Sequence, residues 1–377
     1  MIKKYTILSL LFLGFLVSVN AQVKEIGEVS LGKKFLIKSK ILGQDNEIQV
    51  YLPKSYKDSI QQEYPVLYLL DGQRFFTNGV AIQKSLRSPI ALPEMIVVGV
   101  NSTQTTRRPL FGDGKKYTSF LKNDVIKFID SNFRTTKDRI IFGWEAAAYY
   151  ISKMILQEKD LFSAAILSDG GLASEKQIKE FQSDKEIHLY IANSKRDIYY
   201  IDSTEKLNER LIKYNPQNLK WKYELFNEEV HQSTPYVALY KGIQYFYYNY
   251  DSLVFESIES YVKAGGMSYL KSFFKERAKR FGRNKKFEQN TQNSLIWLAW
   301  NRNNFKYFSF FMEEFKEVLT TQRYASAYWQ HRFGQFYLKH KDYKNAKKFF
   351  ESGLSKYPNS DFDDRMKKGL NEANKNL

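Results

Sequence analysis

Cysteine is absent from this chain of 377 residues, and histidine occurs only four times. Without cysteine there is no disulfide bond, no zinc–thiolate site, no cysteine nucleophile and no lipid-modified cysteine. The histidines also lack the pair spacing by which one helix presents two metal ligands. Their positions are His188, His231, His331 and His340. The sequence therefore predicts no catalytic metal and no other cofactor.

Long apolar runs are scarce as well, and the one near the N-terminus has a special pattern. Lys3 and Lys4 precede a mostly apolar run over residues 5–19, and Ala21 closes a small-residue cleavage pattern. The run is shorter than the roughly 20 apolar residues that span a bilayer. We therefore expect a signal peptide over residues 1–21 and an exported protein, periplasmic or extracellular, with no stable membrane insertion.

The charge is unbalanced: 58 Lys and Arg against 41 Asp and Glu give a formal net charge of +17. In a cytoplasmic protein such an excess would indicate nucleic acid as a partner. Here the basic residues are scattered, no recognition motif accompanies them, and export is expected. The sequence favours a mainly solvated basic surface with no nucleic-acid partner; the alternative is contact with an anionic glycan or a membrane surface.

The first 250 residues alternate between strand and helix patterns. Residues 27–52 have the pattern of two antiparallel strands around a turn, and later continuous apolar runs are typical of strands buried on both faces. Helical periods cover residues 117–133 and 203–214, the second with Ser203 as the expected N-cap. Alternating strands and helices predict an α/β fold with a mainly parallel sheet and antiparallel strands at its N-terminal edge. The buried strands are expected at 64–72, 95–101, 139–144, 162–170, 187–193 and 221–227.

After about residue 250 the strand patterns stop and helical patterns continue to the end. We expect two domains, over residues 22–250 and 251–377, the second α-helical. Residues 327–360 carry tetratricopeptide spacings at Gly334, Tyr337, Tyr343, Ala346, Phe350 and Pro358. A single repeat is fewer than the roughly three that a free-standing array needs. This tetratricopeptide-like hairpin is therefore expected to complete the helical domain, which could bind a protein partner in its groove.

Five segments in a characteristic order carry a family resemblance over roughly residues 30–250. They are "VYLPKSY", "YPVLYLLDG", "IVVGVN", "FIDSNFRTTKDRIIFGW" and "HQSTPYVALYKGIQYF". In this region the chain resembles the esterase-D and enterochelin-esterase-like branch of the α/β-hydrolase fold. The resemblance implies a sharp G-x-S-x-G turn with a nucleophilic serine at its tip. In this sequence the five positions are Gly143, Trp144, Glu145, Ala146 and Ala147, so a glutamate stands at the tip.

The resemblance also implies the other parts of the site. His231 matches the catalytic histidine of the family, although it would otherwise be an ordinary loop histidine. Asp197 is the nearest candidate for the acid, with Asp202 and Glu205 close by. The oxyanion hole would use the backbone N–H groups of Ala146 and Gln73.

Glu145 leaves two hypotheses for function, because a carboxylate cannot perform the serine acyl-enzyme reaction. In the first, the protein is a catalytically impaired pseudo-hydrolase that binds a small molecule, peptide or glycan or acts as a scaffold. Glu145 would then fill the oxyanion hole at a helix N-terminus and pair with His231. In the second, Glu145 acts as carboxylate nucleophile or general base with His231. Rescue by Ser168 is a third, minor alternative.

Overall fold

The computed structural model describes residues 24–85, 92–103, 107–282 and 284–377, and the expected signal peptide lies outside these residues. The N-terminal part of the described chain contains one eight-stranded sheet. Its strands are β1 (Lys33–Ser39), β2 (Gln44–Tyr51), β3 (Tyr64–Leu70), β4 (Ile96–Val100), β5 (Thr135–Trp144), β6 (Ala164–Ser168), β7 (Ile187–Ser194) and β8 (Leu219–Phe226).

The sheet has the strand order β1-β2-β4-β3-β5-β6-β7-β8. β2 pairs antiparallel with both β1 and β4, and the pairs from β4 to β8 are parallel. β4 and β6 are buried along their whole length, which explains their continuous apolar sequences. The predicted mainly parallel sheet with an antiparallel N-terminal edge is therefore confirmed.

Helices cover both faces of this sheet. They are α1 (Gly72–Ser85), α2 (Arg107–Gly112), α3 (Gly114–Phe120), α4 (Lys127–Asn132), α5 (Ala146–Gln157), α6 (Glu175–Lys179), α7 (Ile201–Tyr214) and α8 (Thr234–Phe246). A π-helical segment, Leu121–Ile126, joins α3 to α4, and a short 3₁₀ helix covers Lys54–Tyr56. One core layer contains side chains of α5 and α7, and the opposite layer contains those of α1 and α8.

Two predicted helix limits differ from the structure. The helix expected over residues 117–133 is built from α3, the π-helical segment and α4. The expected N-cap at Ser203 is wrong, since α7 begins at Ile201 and Ser203 lies inside its first turn. There the hydroxyl of Ser203 donates to the carbonyl of Tyr200 (2.8 Å).

The C-terminal part is helical. It contains α9 (Ile258–Ala264), α10 (Gly266–Phe281), α11 (Gln289–Asn301), α12 (Phe305–Glu314), a 3₁₀ helix (Lys316–Thr320), α13 (Ala327–Lys339), α14 (Tyr343–Lys356) and α15 (Asp363–Lys375). α13 and α14 lie within the predicted hairpin, where a Cβ on Gly334 would lie 2.5 Å from the ring of Phe350. The tetratricopeptide-like character of the hairpin and the domain limits stay predictions. None of the helices described is both long and apolar enough to cross a bilayer.

Candidate active site

The carboxyl ends of the parallel strands hold the polar residues of the site. Asp71 follows β3, Glu145 follows β5, and Asp169 follows β6. Asp197 lies in the loop after β7, and His231 lies between β8 and α8. Parallel strands end at the same edge of a sheet, so these loops converge there.

Glu145 occupies a strained turn between β5 and α5. Its backbone angles are φ 50° and ψ −116°, outside the regions that most residues adopt. Its N–H donates to the carbonyl of Ser168 (3.0 Å), and its carbonyl accepts from the N–H of Tyr149 (2.9 Å). A Cβ on Gly143 would lie 2.6 Å from Cδ1 of Ile151 and 2.8 Å from the carbonyl carbon of Ala147. The sharp strand–turn–helix therefore requires a glycine two residues before Glu145.

The structure brings Glu145, His231 and Asp197 together. Nε2 of His231 lies 2.5 Å from Oε1 of Glu145, and its Nδ1 lies 2.9 Å from Oδ2 of Asp197. Asp197 is buried, and its Oδ1 also accepts the N–H of Tyr199 (2.9 Å). The two alternative acids, Asp202 and Glu205, lie on α7 instead. The imidazole is thus held between two carboxylates.

Arg107 completes the contacts of Glu145. Its Nη1 donates to Oε2 of Glu145 (2.7 Å), its Nε to Oδ2 of Asp71 (2.7 Å), and its Nη2 to the carbonyl of Trp144 (2.5 Å). Sequence reasoning missed Arg107, which lies in no motif and is distant from Glu145 along the chain. Asp71 carried a signal, because it follows a buried strand directly. Both oxygens of the Glu145 carboxylate are therefore bound to cationic or imidazole nitrogen atoms.

The position of this carboxylate corrects one expectation. Glu145 was expected to fill the oxyanion hole at the N-terminus of α5, but its side chain makes no hydrogen bond to the first turn of that helix. It points instead to Arg107 and His231. A full charge on a guanidinium attracts a carboxylate more strongly than the partial charge of a helix terminus.

The ion pairs change the acidity of both nitrogen bases. Burial opposes the charge on the imidazole, but the hydrogen bonds to Glu145 and Asp197 outweigh it and raise the pKa of His231 above its ordinary value. Burial likewise opposes the charge of Arg107, and the carboxylates of Asp71 and Glu145 raise its pKa in turn. The site therefore favours a protonated His231.

Aromatic rings enclose the imidazole. Tyr200 stacks on His231 with ring centroids 5.4 Å apart and planes at 13°, and Trp144 lies 5.0 Å away. The guanidinium of Arg74 lies 4.0 Å from the ring of Trp144. Trp144 is buried and packs as expected, whereas Tyr200 was not anticipated from the sequence.

The two residues expected to form the oxyanion hole lie at neighbouring strand ends. Gln73 is the second residue of α1, after β3, and Ala146 is the first residue of α5, after β5. β3 and β5 are adjacent in the sheet. The first turn of a helix leaves its N–H groups without intrahelical acceptors. The side chain of Gln73 is held by Ser102, whose N–H donates to Oε1 of Gln73 (2.8 Å). The oxyanion role of these two groups stays a prediction.

Asp169 adds a second carboxyl group to the pair formed by Asp197 and His231. One ligand atom from each of these residues lies within 4.8 Å of the others, an arrangement that could hold a cation. However, Asp197 and His231 already bond to each other, and burial raises the pKa of Asp169 to about 8. Ser168, the alternative nucleophile, is buried and donates its hydroxyl to Asp169 (2.7 Å). Asp197, His231 and Ser168 are thus hydrogen-bonded within the cluster, whereas Oδ1 of Asp169 is buried with no hydrogen-bond partner among the described residues.

A cleft of about 980 Å³ lies beside the turn, on the side of α3 and α5. Ala146, which follows Glu145, and Tyr200, which stacks on His231, both line it. Its volume is in the range of pockets that hold small ligands. The cleft therefore adjoins the site through Ala146 and Tyr200.

A parallel sheet with an antiparallel edge, covered on both faces and carrying a strand–turn–helix with a histidine–aspartate pair, defines an α/β-hydrolase. The model of the family described as "Putative esterase" matches residues 39–251 of the chain. The chain therefore belongs to this esterase family.

Solved structures agree on the fold. An IroE-like serine hydrolase from Shewanella oneidensis matches with a TM-score of 0.56 and 20% identity, over 75% of this chain and 98% of that chain. An uncharacterised protein from Capnocytophaga ochracea matches with a TM-score of 0.62 and 15% identity, over 91% and 99%. The siderophore hydrolase EstA from Aspergillus nidulans matches with a TM-score of 0.54 and 13% identity, over 61% and 99%. At these identities the similarity shows the fold alone. No curated protein matches the chain in sequence.

Proposed function

We propose that this protein is an exported esterase-like hydrolase homologue in which Glu145 replaces the nucleophilic serine, and that it binds a ligand instead of hydrolysing esters. A serine at the tip of the turn attacks after a histidine accepts its proton. The side chain of Glu145 has no hydroxyl group that could play this part. The retained turn, histidine and acid then serve as architecture.

The observation that carries this proposal is the double contact of the Glu145 carboxylate. Oε2 accepts from Arg107 (2.7 Å), and Oε1 lies 2.5 Å from Nε2 of His231. A carboxylate neutralised by a guanidinium and an imidazolium is a poor nucleophile. The same contact occupies the nitrogen of His231 that would otherwise activate water.

The second candidate function is an active hydrolase that uses Glu145 as carboxylate nucleophile or general base with His231. It is favoured by the intact pair of His231 and Asp197 (2.9 Å) and by the cleft beside Glu145. A carboxylate can attack carbon to form an ester that a histidine-activated water then cleaves. For this, Glu145 would first have to leave Arg107.

Short-chain p-nitrophenyl esters distinguish the two candidates. We expect no turnover by the purified protein and a gain of turnover in Glu145→Ser, which is lost again in Glu145→Ser/His231→Ala. Removing one member of a catalytic triad usually costs a factor of about 10⁴ or more, which makes the gain easy to detect. Hydrolysis by the unsubstituted protein that disappears in His231→Ala would instead establish the carboxylate mechanism.

The proposed ligand is a small molecule, peptide or glycan at the cleft, and a protein partner would use the helical region. A groove of about 630 Å³ on that region supports the second part. Its lining includes Trp300, Arg332, Phe336 and Arg365.

Export rests on residues 1–21 alone. A protein recovered from the periplasm or medium whose first residue is Gln22 would support export, and retention of Met1 would contradict it.

A further inference from the structure

The cleft beside Glu145 carries an excess of positive charge. It is lined by four cationic side chains and by only one carboxylate, that of Glu158. The cations are Arg108, Lys115, Lys122 and Lys153. Glu158 pairs with Lys122 (3.3 Å). Within the ranges that the structure describes, no salt bridge is found for the other three cations, so the cleft holds unneutralised positive charge.

One wall of the cleft is a single face of α5. Ala146, Tyr149, Lys153 and Gln157 follow each other at intervals of three or four residues and all line the cleft. From Ala146 to Lys153 the helix rises about 10 Å, at 1.5 Å per residue. Across the cleft, Lys115 and Thr118 of α3 face the same space. Along α5 the cleft therefore extends from the turn at Ala146 to Lys153, with the site at the Ala146 end.

The end near the site is aromatic. Tyr200 lines the cleft and stacks on His231. The ring centroids of Tyr149 and Tyr200 are 6.0 Å apart. Phe111 and Tyr150 add further apolar surface. Such rings hold an apolar or aryl group, while the lysines are suited to an anion.

We propose that the cleft binds an elongated anionic ligand, with an apolar or aryl group beside Tyr200 and His231 and its negatively charged end between Lys115 and Lys153. This inference rests on the proposed ligand-binding function and names the class of ligand. Arg108, near Tyr200, provides a further cation along the path.

Two probes of matched length test the proposal. Mono-p-nitrophenyl suberate ends in a carboxylate, and its methyl ester is the uncharged counterpart of similar size. Calorimetry with the purified protein should show the carboxylate probe binding about ten times more tightly, the effect of one or two charge-assisted contacts. In the double variant Lys115→Gln/Lys153→Gln, the ratio of the affinity for the carboxylate probe to that for the methyl ester should fall to about two or less.

Lys116→Gln is the matched control, because Lys116 adjoins Lys115 but does not line the cleft. It should leave the ratio unchanged. Equal affinity of both probes, or a ratio that the double variant keeps, would overturn the proposal. If the protein hydrolyses the probes, the proposed loss of catalysis fails, and the ratio of the two KM values tests the cleft in its place. If the protein does not hydrolyse the probes and binds both equally, the proposed loss of catalysis stands and the proposal of an anionic ligand is refuted.

Discussion

At the scale of single residues, the site is governed by the contacts of one carboxylate. Glu145 lies between the guanidinium of Arg107 and the imidazole of His231, and its side chain is 18% exposed. Partial burial strengthens both interactions by reducing the screening of water. The imidazole is therefore stabilised in its charged form. In a serine esterase the catalytic histidine must be neutral before it accepts the serine proton.

Glu145→Gln should lower the pKa of His231, because a charge-assisted hydrogen bond is replaced by a weaker one to a neutral amide. An NMR titration of the imidazole C–H resonance measures this directly. The control is Glu158→Gln, which removes a carboxylate at the end of the same helix and should leave the titration unchanged. An unaltered pKa in Glu145→Gln would mean that Asp197 alone raises it.

The same pKa has a consequence for stability. A histidine whose pKa is higher in the folded than in the unfolded protein stabilises the fold fully below its ordinary value of about 6.5. That contribution is lost as the pH rises through the folded value. The stabilisation by His231 is thus largest in mildly acidic solution and smallest in alkaline solution.

At the scale of elements, the strand–turn–helix from β5 to α5 positions Glu145. The turn brings the backbone of residues 147 and 148 against Gly143, where an added Cβ would lie 2.8 Å and 2.9 Å from backbone atoms. Backbone atoms in a packed strand and helix cannot move aside as a flexible side chain can. The glycine is therefore required by packing, whatever residue stands at the tip.

Gly143→Ala should reduce the free energy of unfolding by about 2 kcal/mol, the usual cost of overpacking a core position. Urea denaturation followed by circular dichroism measures it. Gly112→Ala is the matched control, since nothing lies within 4 Å of a Cβ at that position. Similar stability of the two variants would show that the turn relaxes to accept the methyl group.

At the scale of the whole molecule, the hydrolase part and the helical part share a contact between α10 and the end of α8 with the residues that follow it. The ring of Phe281 lies 5.7 Å from that of Tyr247 and 5.3 Å from that of Tyr250. Arg280 donates to the carbonyl of Phe246 (2.5 Å). A shared apolar contact of this kind couples the unfolding of two regions.

Phe281→Ala should therefore weaken the coupling and broaden or split the unfolding transition in calorimetry. A buried Phe→Ala change costs about 3–5 kcal/mol, and Phe281 is half-buried, so we expect the lower part of that range or less. Phe310→Ala, at an exposed position on α12, should leave the transition unchanged. An identical single transition in both variants would mean that other contacts join the two parts.

Much of the fold was predictable because continuous apolar runs identify strands that are buried on both faces. The order of the runs around Tyr64, Ile96 and Ile140 indicated a parallel sheet, which the structure confirms. The first and last residues of helices depend on local hydrogen bonds and were harder to predict from the sequence. α7 starts before Ser203 because backbone contacts with Tyr200 begin the helix there.

The sequence by itself determined the α/β-hydrolase class and the glutamate at the tip of the turn, because both follow from the order and type of residues along the chain. Only the tertiary structure decided where the carboxylate points. Arg107, the first residue of α2, reaches Glu145 and is itself bound to Asp71 at the end of β3. An ion pair depends on separation in space, and residues far apart along the chain acquire that separation only when the sheet is assembled.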